Sequence, residues 1–275
     1  MSQPEIEAVR KALKVVPGAH FKGAGKDTIN KVLFEDKDDA EESLKADAKA
    51  IDELQDKLYA ERRRALLVIL QGIDTAGKSG TTKNVFKETS PLGMVVKAFK
   101  APTRHELARD YLWRVHDAVP PAGYIGIFDR SHYEDVLVVK VRGFASPEAV
   151  EQRYQQINDF ERLLVENGTH VLKIMLNVSK DEQAERLQAR LDQPHKHWKF
   201  NPGDLDDRAL WDDYMKAYNV AVTRCSTEHA PWYVVPADSK TRRNAMVARL
   251  VRGALEDMAP NWPKADFDIS KIKID

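Results

Sequence analysis

The stretch LLVILQGIDTAGKSGTTKNVFK, residues 66–87, constrains the fold more than any other part of the chain. An apolar run breaks into a glycine-framed loop, which then opens into a segment of helical character. Gly72-Ile-Asp-Thr-Ala-Gly77-Lys78-Ser79 fits G-x-x-x-x-G-K-[ST] and stands where that pattern works, after a strand and at the start of a helix. Glycines let successive backbone N–H groups turn inward around a phosphate, and the helix N-terminus adds its positive dipole end. Gly72, Ala76, Gly77 and Gly80 then supply backbone, Lys78 reaches the outer phosphates and Ser79 can ligate Mg²⁺. The motif specifies phosphate binding and leaves the reaction open.

The rest of the chain supplies a sheet for this loop to stand on. Short β-rich apolar runs occur at Ala65 to Leu70, Met94 to Phe99, Tyr124 to Phe128, His170 to Val178 and Trp232 to Val235. Most lack strict alternation, as expected of parallel strands covered on both faces. Helical segments lie between them. Ser146 and Pro147 suit N-cap and N1, Val150, Tyr154, Ile157 and Leu164 recur at helical spacing, and Gly168 stops the run. Ala40 to Arg63 reads as an amphipathic helix leading into the first strand. This alternation predicts an α/β three-layer sandwich with a parallel sheet of about five strands.

Residues 1–40 show little periodicity and read as a surface arm; residues 41–258 form one domain and 259–275 a tail. Within Asp192 to Asp207, DQPHKHWKFNPGDLDD is punctuated by Pro and Gly and basic in its first half, so a lid is expected over about 181–207.

Charge bears on the partners. Forty-three basic residues balance forty-three acidic ones, so no global field draws the protein to nucleic acid or to a membrane, and any polyanion site is a local patch. The single cysteine, Cys225, excludes an intramolecular disulfide framework and fits a reducing compartment. The first sixteen residues lack the apolar core of a signal peptide, and no stretch approaches twenty apolar residues, so a cytoplasmic protein is expected.

Asp74 is the odd member of the loop, because a carboxylate in a phosphate cradle is repelled by its ligand. It either turns out to solvent or meets the ligand through Mg²⁺ or a proton in transit. In YIGIFDRSHYEDVL, Asp129 falls at a strand tip, the position of a carboxylate that binds the Mg²⁺ shell, and Arg130 can neutralise a transferring phosphoryl group. Glu134 and Asp135 follow, as a second metal site, a nucleotide contact or a solvated helix start. Lys83 and Lys87 share a helix face; Lys97, Lys100, Lys140 and Arg142 lie near the ends of neighbouring elements. They form either a long anion track or scattered solvated cations.

Taken together, GIDTAGKSG, KAPTRHELARDYLWR, FDRSHYEDVLV and RLQARLDQPHKHWKFNPGDL resemble the signature of polyphosphate kinase family 2, in order over about Leu54 to Asp257. The resemblance implies a P-loop kinase fold related to thymidylate kinases, with a helical lid. It also implies transfer of a phosphoryl group between inorganic polyphosphate and a nucleotide, dependent on Mg²⁺, for which Mn²⁺ can substitute. Asp74, Lys78, Asp129 and Arg130 match the family's loop and strand-tip residues, and Arg186 and Arg190 its lid arginines. Asp74 and Asp129 would hold metal and order the nucleophile, while Lys78, Arg130 and Arg190 stabilise equatorial charge during direct in-line attack. Lys83, Lys87 and Arg142 become part of a polyphosphate channel. Thr103, Arg104, Glu134, Arg186, Lys196 and Trp198 are the expected nucleotide contacts, for adenine and by extension guanine nucleotides. The blocks are most similar to the single-domain subgroup acting on both AMP and ADP, and a homo-oligomer, dimer or tetramer, is expected.

Histidine chemistry is the lesser expectation. His132 follows Asp129 by three residues without an evident orienting partner, and reads as a packing or capping residue rather than a phosphoryl acceptor. His195 and His197 flank Lys196 without a third zinc ligand nearby. Two other functions fit parts of the pattern: an ATP-dependent nucleoside monophosphate kinase, and a non-catalytic nucleotide switch.

Overall fold

The computed structural model describes residues 5–29, 33–34 and 36–274; the remaining positions of the expected N-terminal arm lie outside the described residues. Five parallel strands, β1 (Ala65–Gln71), β2 (Met94–Ala98), β3 (Ile125–Asp129), β4 (Thr169–Asn177) and β5 (Trp232–Pro236), form one sheet in the order β2-β3-β1-β4-β5. Every residue of β1 is buried, as its unbroken apolar run requires. Leu70 is in register with Asp129, which brings the loop after β1 beside the tip of β3.

The helices are α1 (Ile6–Leu13), α2 (Lys37–Glu61), α3 (Lys78–Val85), α4 (Arg104–Leu107), α5 (Trp113–His116), α6 (Val138–Val141), α7 (Pro147–Glu166), α8 (Lys180–Asp192), α9 (Gly203–Ala209), α10 (Trp211–Cys225) and α11 (Lys240–Met258). α2, α3 and α11 pack together and α11 lies on β1, β4 and β5; α7 packs on β4 and carries α10. Right-handed crossovers between parallel strands place these two groups on opposite faces. The cap of α7 is as read, with Ser146 accepting from the Ala149 N–H and Pro147 at N1.

The N-terminal stretch departs from a surface arm. Val9 and Leu13 of α1 are buried, Lys14 bridges antiparallel to Tyr233, and Val15 donates to the Trp232 carbonyl (2.8 Å). The segment therefore covers the outer edge of β5. Farther on, Asn177 accepts from the Gly25 N–H (2.8 Å) and donates to the carbonyls of Gly23 (3.0 Å) and Lys26 (2.5 Å), fixing an irregular loop that has no periodicity to betray it.

Behind the β3 tip lies a buried ionic network. Lys173 of β4 donates to Glu161 of α7 (2.5 Å), to the Tyr133 hydroxyl (2.9 Å) and to the Cys225 carbonyl (2.6 Å). Glu161 also accepts from Tyr133 (2.8 Å) and lies 3.2 Å from His132 Nε2. This ties the segment that follows Asp129 and Arg130 to both β4 and α7.

Candidate active site

The loop after β1 reaches α3 through three residues of positive φ, Gly72 (154°), Thr75 (68°) and Gly77 (107°). Gly77 is required twice: its backbone is in a region that side chains disfavour, and a Cβ there would meet Arg243 Nη1 at 2.0 Å. Lys78, the first residue of α3, is buried and folds back to donate to the Gly72 carbonyl (2.7 Å). Burial, aided by Arg130, lowers its pKa against the opposing pull of Asp74, Asp129 and Glu134. The Ala76 N–H turns inward within the loop to the Ile73 carbonyl (3.0 Å).

Two carboxylates flank this lysine's loop. Ser79 Oγ donates to Asp129 (2.9 Å), and Arg130 Nη2 donates to Asp74 (2.5 Å). Arg130 itself sits at φ 64°, with its N–H on the Leu70 carbonyl (3.0 Å), and that turn aims its side chain at the loop. Burial would raise the Asp74 carboxyl pKa, but Lys78, Arg130 and Arg190 together hold it below the usual carboxylate range. Asp74 is therefore ionised and faces a cluster of cations, and of the two readings of this residue the one that turns it to solvent is set aside.

Gln183, Arg186 and Arg190 lie along one face of α8, at a spacing that lays them over the loop. Gln183 donates to the Asp74 carbonyl (3.3 Å), and Arg190 donates to Asp204 (2.9 Å) and to the Lys199 carbonyl (3.0 Å). Arg186 corrects an expectation. Its guanidinium donates to the carbonyls of Thr75, Ala76, Ala237 and Asp238 and to Glu182, so every N–H is engaged in holding the loop to the β5 end and none is left for a nucleotide.

Two cavities meet at the loop. One, of about 600 Å³, is lined by the loop, by Asp129, and by a ring of cations that includes Lys78, Arg190, Lys196, Lys199 and Lys240. The other, of about 580 Å³, has apolar and aromatic walls, among them Phe99, Pro102, Val138 and Tyr214, with Arg114, Arg153, Glu134, Asp135 and Asp207 among its polar groups; Asp135 pairs with Arg153 (3.1 Å). Asp74, Lys100 and Arg130 line both. Glu134 lies at the inner end of the second cavity, near Arg130 and Lys78; burial raises its pKa, and these cations oppose the rise.

Several expected contacts fall elsewhere. Trp198 and Lys196 belong to the cationic cavity rather than to the apolar one. Lys83 and Lys87 are exposed on α3 and its C-terminal extension and line neither cavity, and Lys87 pairs with Glu88. Arg142 is held by Asp207 (2.6 Å) and lines neither cavity. Thr103 is engaged in a capping box with Glu106, and Arg104 opens α4 without lining either cavity. His132 is fully buried in the network behind the site and reaches neither cavity. Lys240 and Arg153 lie outside every quoted block, and Arg114 and Lys199 lie inside two of them without having been singled out; α11, α7, α5 and the lid bring them to the cavities by tertiary packing.

The family model of polyphosphate kinase 2 matches residues 34–263. The chain belongs to that family. It is 46% identical over 266 residues to the AMP/ADP-polyphosphate phosphotransferase of Meiothermus ruber, across 96% of this chain and all of that one. It is 39% identical to the ADP-polyphosphate phosphotransferase of Rhodopseudomonas palustris, across 84% of each. The crystal structure of polyphosphate kinase 2 from Arthrobacter aurescens superposes with a TM-score of 0.92 at 46% identity, covering 98% of this polyphosphate kinase and 95% of the other. The five-stranded parallel sheet is thus that of a P-loop kinase-like fold, and the chain is an enzyme of the family. Among the described residues no helix is long and apolar enough to cross a membrane.

Proposed function

We propose that this polyphosphate kinase transfers the terminal phosphoryl group between inorganic polyphosphate in the cationic cavity and AMP or ADP in the apolar one. The observation that carries the reading is the shared wall: Asp74, Lys100 and Arg130 line both cavities, so donor and acceptor phosphates meet there. A chain of phosphates suits a cation-lined trough, and a nucleoside suits apolar walls with a few polar groups. The names of the Meiothermus and Rhodopseudomonas relatives support the same substrates.

In the forward direction an acceptor phosphate oxygen attacks the terminal phosphorus in line. The new P–O bond forms as the bridging P–O bond breaks, and the bridging oxygen leaves with a polyphosphate one unit shorter. Lys78, Arg130 and Arg190 neutralise the charge gathered on the transferring group, and Asp74 holds Arg130 at the junction. The donor set of Asp74, Asp129 and Ser79 is all oxygen, which suits Mg²⁺ and by the same chemistry Mn²⁺. Among the described residues no three His, Cys, Asp or Glu side chains cluster, so such an ion would complete its shell with phosphate and water. When bound, it would supply charge neutralisation between donor and acceptor phosphates.

Assembly as a homo-oligomer is part of this proposal. Among the described residues the outer edge of β2 pairs with no strand, and Val96 of β2 and Leu92 of the turn before it are exposed, so this edge is open to pairing with another chain. Sedimentation of the purified protein tests it.

The function is tested with purified protein, Mg²⁺ and long-chain polyphosphate without ATP, resolving products from AMP, ADP, GMP and GDP. ATP formed from ADP supports the donor assignment, and ATP formed from AMP alone supports dual acceptance. Product formed only when ATP is supplied with AMP would identify an ordinary nucleotide kinase instead.

A further inference from the structure

Arg243, in the first turns of α11, is the residue whose presence the site does not at first explain. It is 3% exposed, and its guanidinium packs against the back of Gly77, the hinge between the loop and α3. Its hydrogen bonds go to neutral acceptors: Nη1 to the Ala76 carbonyl (3.1 Å), and Nε and Nη2 to Asn244 Oδ1 (3.1 and 2.8 Å). Among the described residues no ion pair includes Arg243; Glu182, the carboxylate whose field reaches it, is bonded to Arg186 instead (2.7 Å). Arg186, a second cation, donates to the same Ala76 carbonyl (3.1 Å). Burial and the nearby Arg186 push the Arg243 pKa down to about 10, which leaves it charged at neutral pH.

A buried guanidinium without an acid, beside a second cation and under the positive end of a helix, is unfavourable in the free protein. Its packing does not require the charge. Without Arg243, Ala76 keeps Arg186 as a donor and Asn244 keeps Thr81 Oγ1 (3.3 Å), so neither acceptor is orphaned. What the charge can oppose is an anion on the far side of the loop.

We propose that Arg243 is a positioning residue that strengthens polyphosphate binding from behind the P-loop, through its field and its contact with Gly77, without touching substrate. The proposal rests on the assignment of polyphosphate to the cationic cavity. It implies that the free protein carries an electrostatic cost that the donor relieves, so donor binding and stability are coupled.

The test uses full-length Arg243→Met and Arg243→Gln, with Arg243→Lys as the charge-retaining variant. The neutral variants are expected to melt at or above the temperature of the free wild type and to lose most of the stabilisation conferred by inorganic tripolyphosphate. Their KM for polyphosphate should rise about tenfold, the order expected for one charge acting across roughly 10 Å of protein, with KM for AMP unchanged. Arg243→Lys should recover much of both. Neutral variants that melt lower yet keep wild-type tripolyphosphate stabilisation and KM would overturn the proposal, as would loss of folding in both, since either assigns the guanidinium to packing. Absence of polyphosphate-driven transfer in the wild type would instead sink the cavity assignment.

Discussion

Replacing Lys173 by Met probes the network that anchors the segment behind the β3 tip. Lys173 and Glu161 are both fully buried and 2.5 Å apart. Methionine occupies much of the lysine stem's volume, so the main effect is electrostatic: Glu161 loses its cation and the Cys225 carbonyl its donor. Breaking one partner of such a pair costs about 3–5 kcal/mol. For 275 residues the unfolding entropy near Tm is about 0.6 kcal/mol/K, so Tm should fall by about 5–9 °C. Burial acts to raise the Glu161 pKa, but Lys173 and His132 outweigh it and hold the carboxyl below its usual value. A depressed carboxyl pKa gives stability that is present above the unfolded value and lost as pH falls through the folded one. In Lys173→Met burial prevails, the Glu161 pKa rises, and a proton can replace the missing cation. The loss is therefore expected to be largest at pH 8 and smaller at pH 5, and Lys173→Met/Glu161→Leu should recover most of it. Calorimetric melting at both pH values checks this. An equal loss at the two pH values, or a double variant no better than the single, would refute the reasoning.

Asp129→Asn, which keeps an oxygen for the Ser79 bond, and Arg190→Ala should each lower kcat by about 10²–10³ with Tm within a few degrees of wild type, read by steady-state kinetics beside thermal melts. Lys240→Ala should raise KM for short polyphosphates, whereas Lys87→Ala, outside the cationic cavity, should leave it unchanged; equal effects would mean that the donor path runs along α3. Burial raises the Glu134 pKa, so the folded protein binds that proton more tightly than the unfolded chain, and wild-type stability falls as pH rises from the ordinary glutamate value through the raised one. Glu134→Gln should consequently melt higher than wild type at pH 8 and level with it at pH 4, and a constant offset between the two curves would contradict that sign.

The sequence by itself determined the parts whose chemistry is local. A strand, a Gly-rich loop and a helix start must be contiguous to cradle a phosphate, so residues 66–87 carry that feature in one stretch. Asp129 and Arg130 were legible because a strand tip has a fixed place beside the loop in a parallel sheet, and Arg190 because the lid block is continuous. Only the tertiary structure decided which cations serve the cavities, because pairing and burial join residues far apart in the chain. Arg186 has the same side chain as Arg190, yet four of its N–H groups are engaged by carbonyls from two distant segments and the fifth by Glu182. Lys83 and Lys87 have the spacing of a track but are exposed on α3 and just beyond its end, whereas Lys240 and Arg243 come from the far end of the chain. The N-terminal stretch shows the same limit: its order comes from the edge of β5 and from Asn177, partners that no local period encodes. Periodicity reports which face of an element is apolar; where a charged side chain ends depends on the acceptors that packing brings within reach.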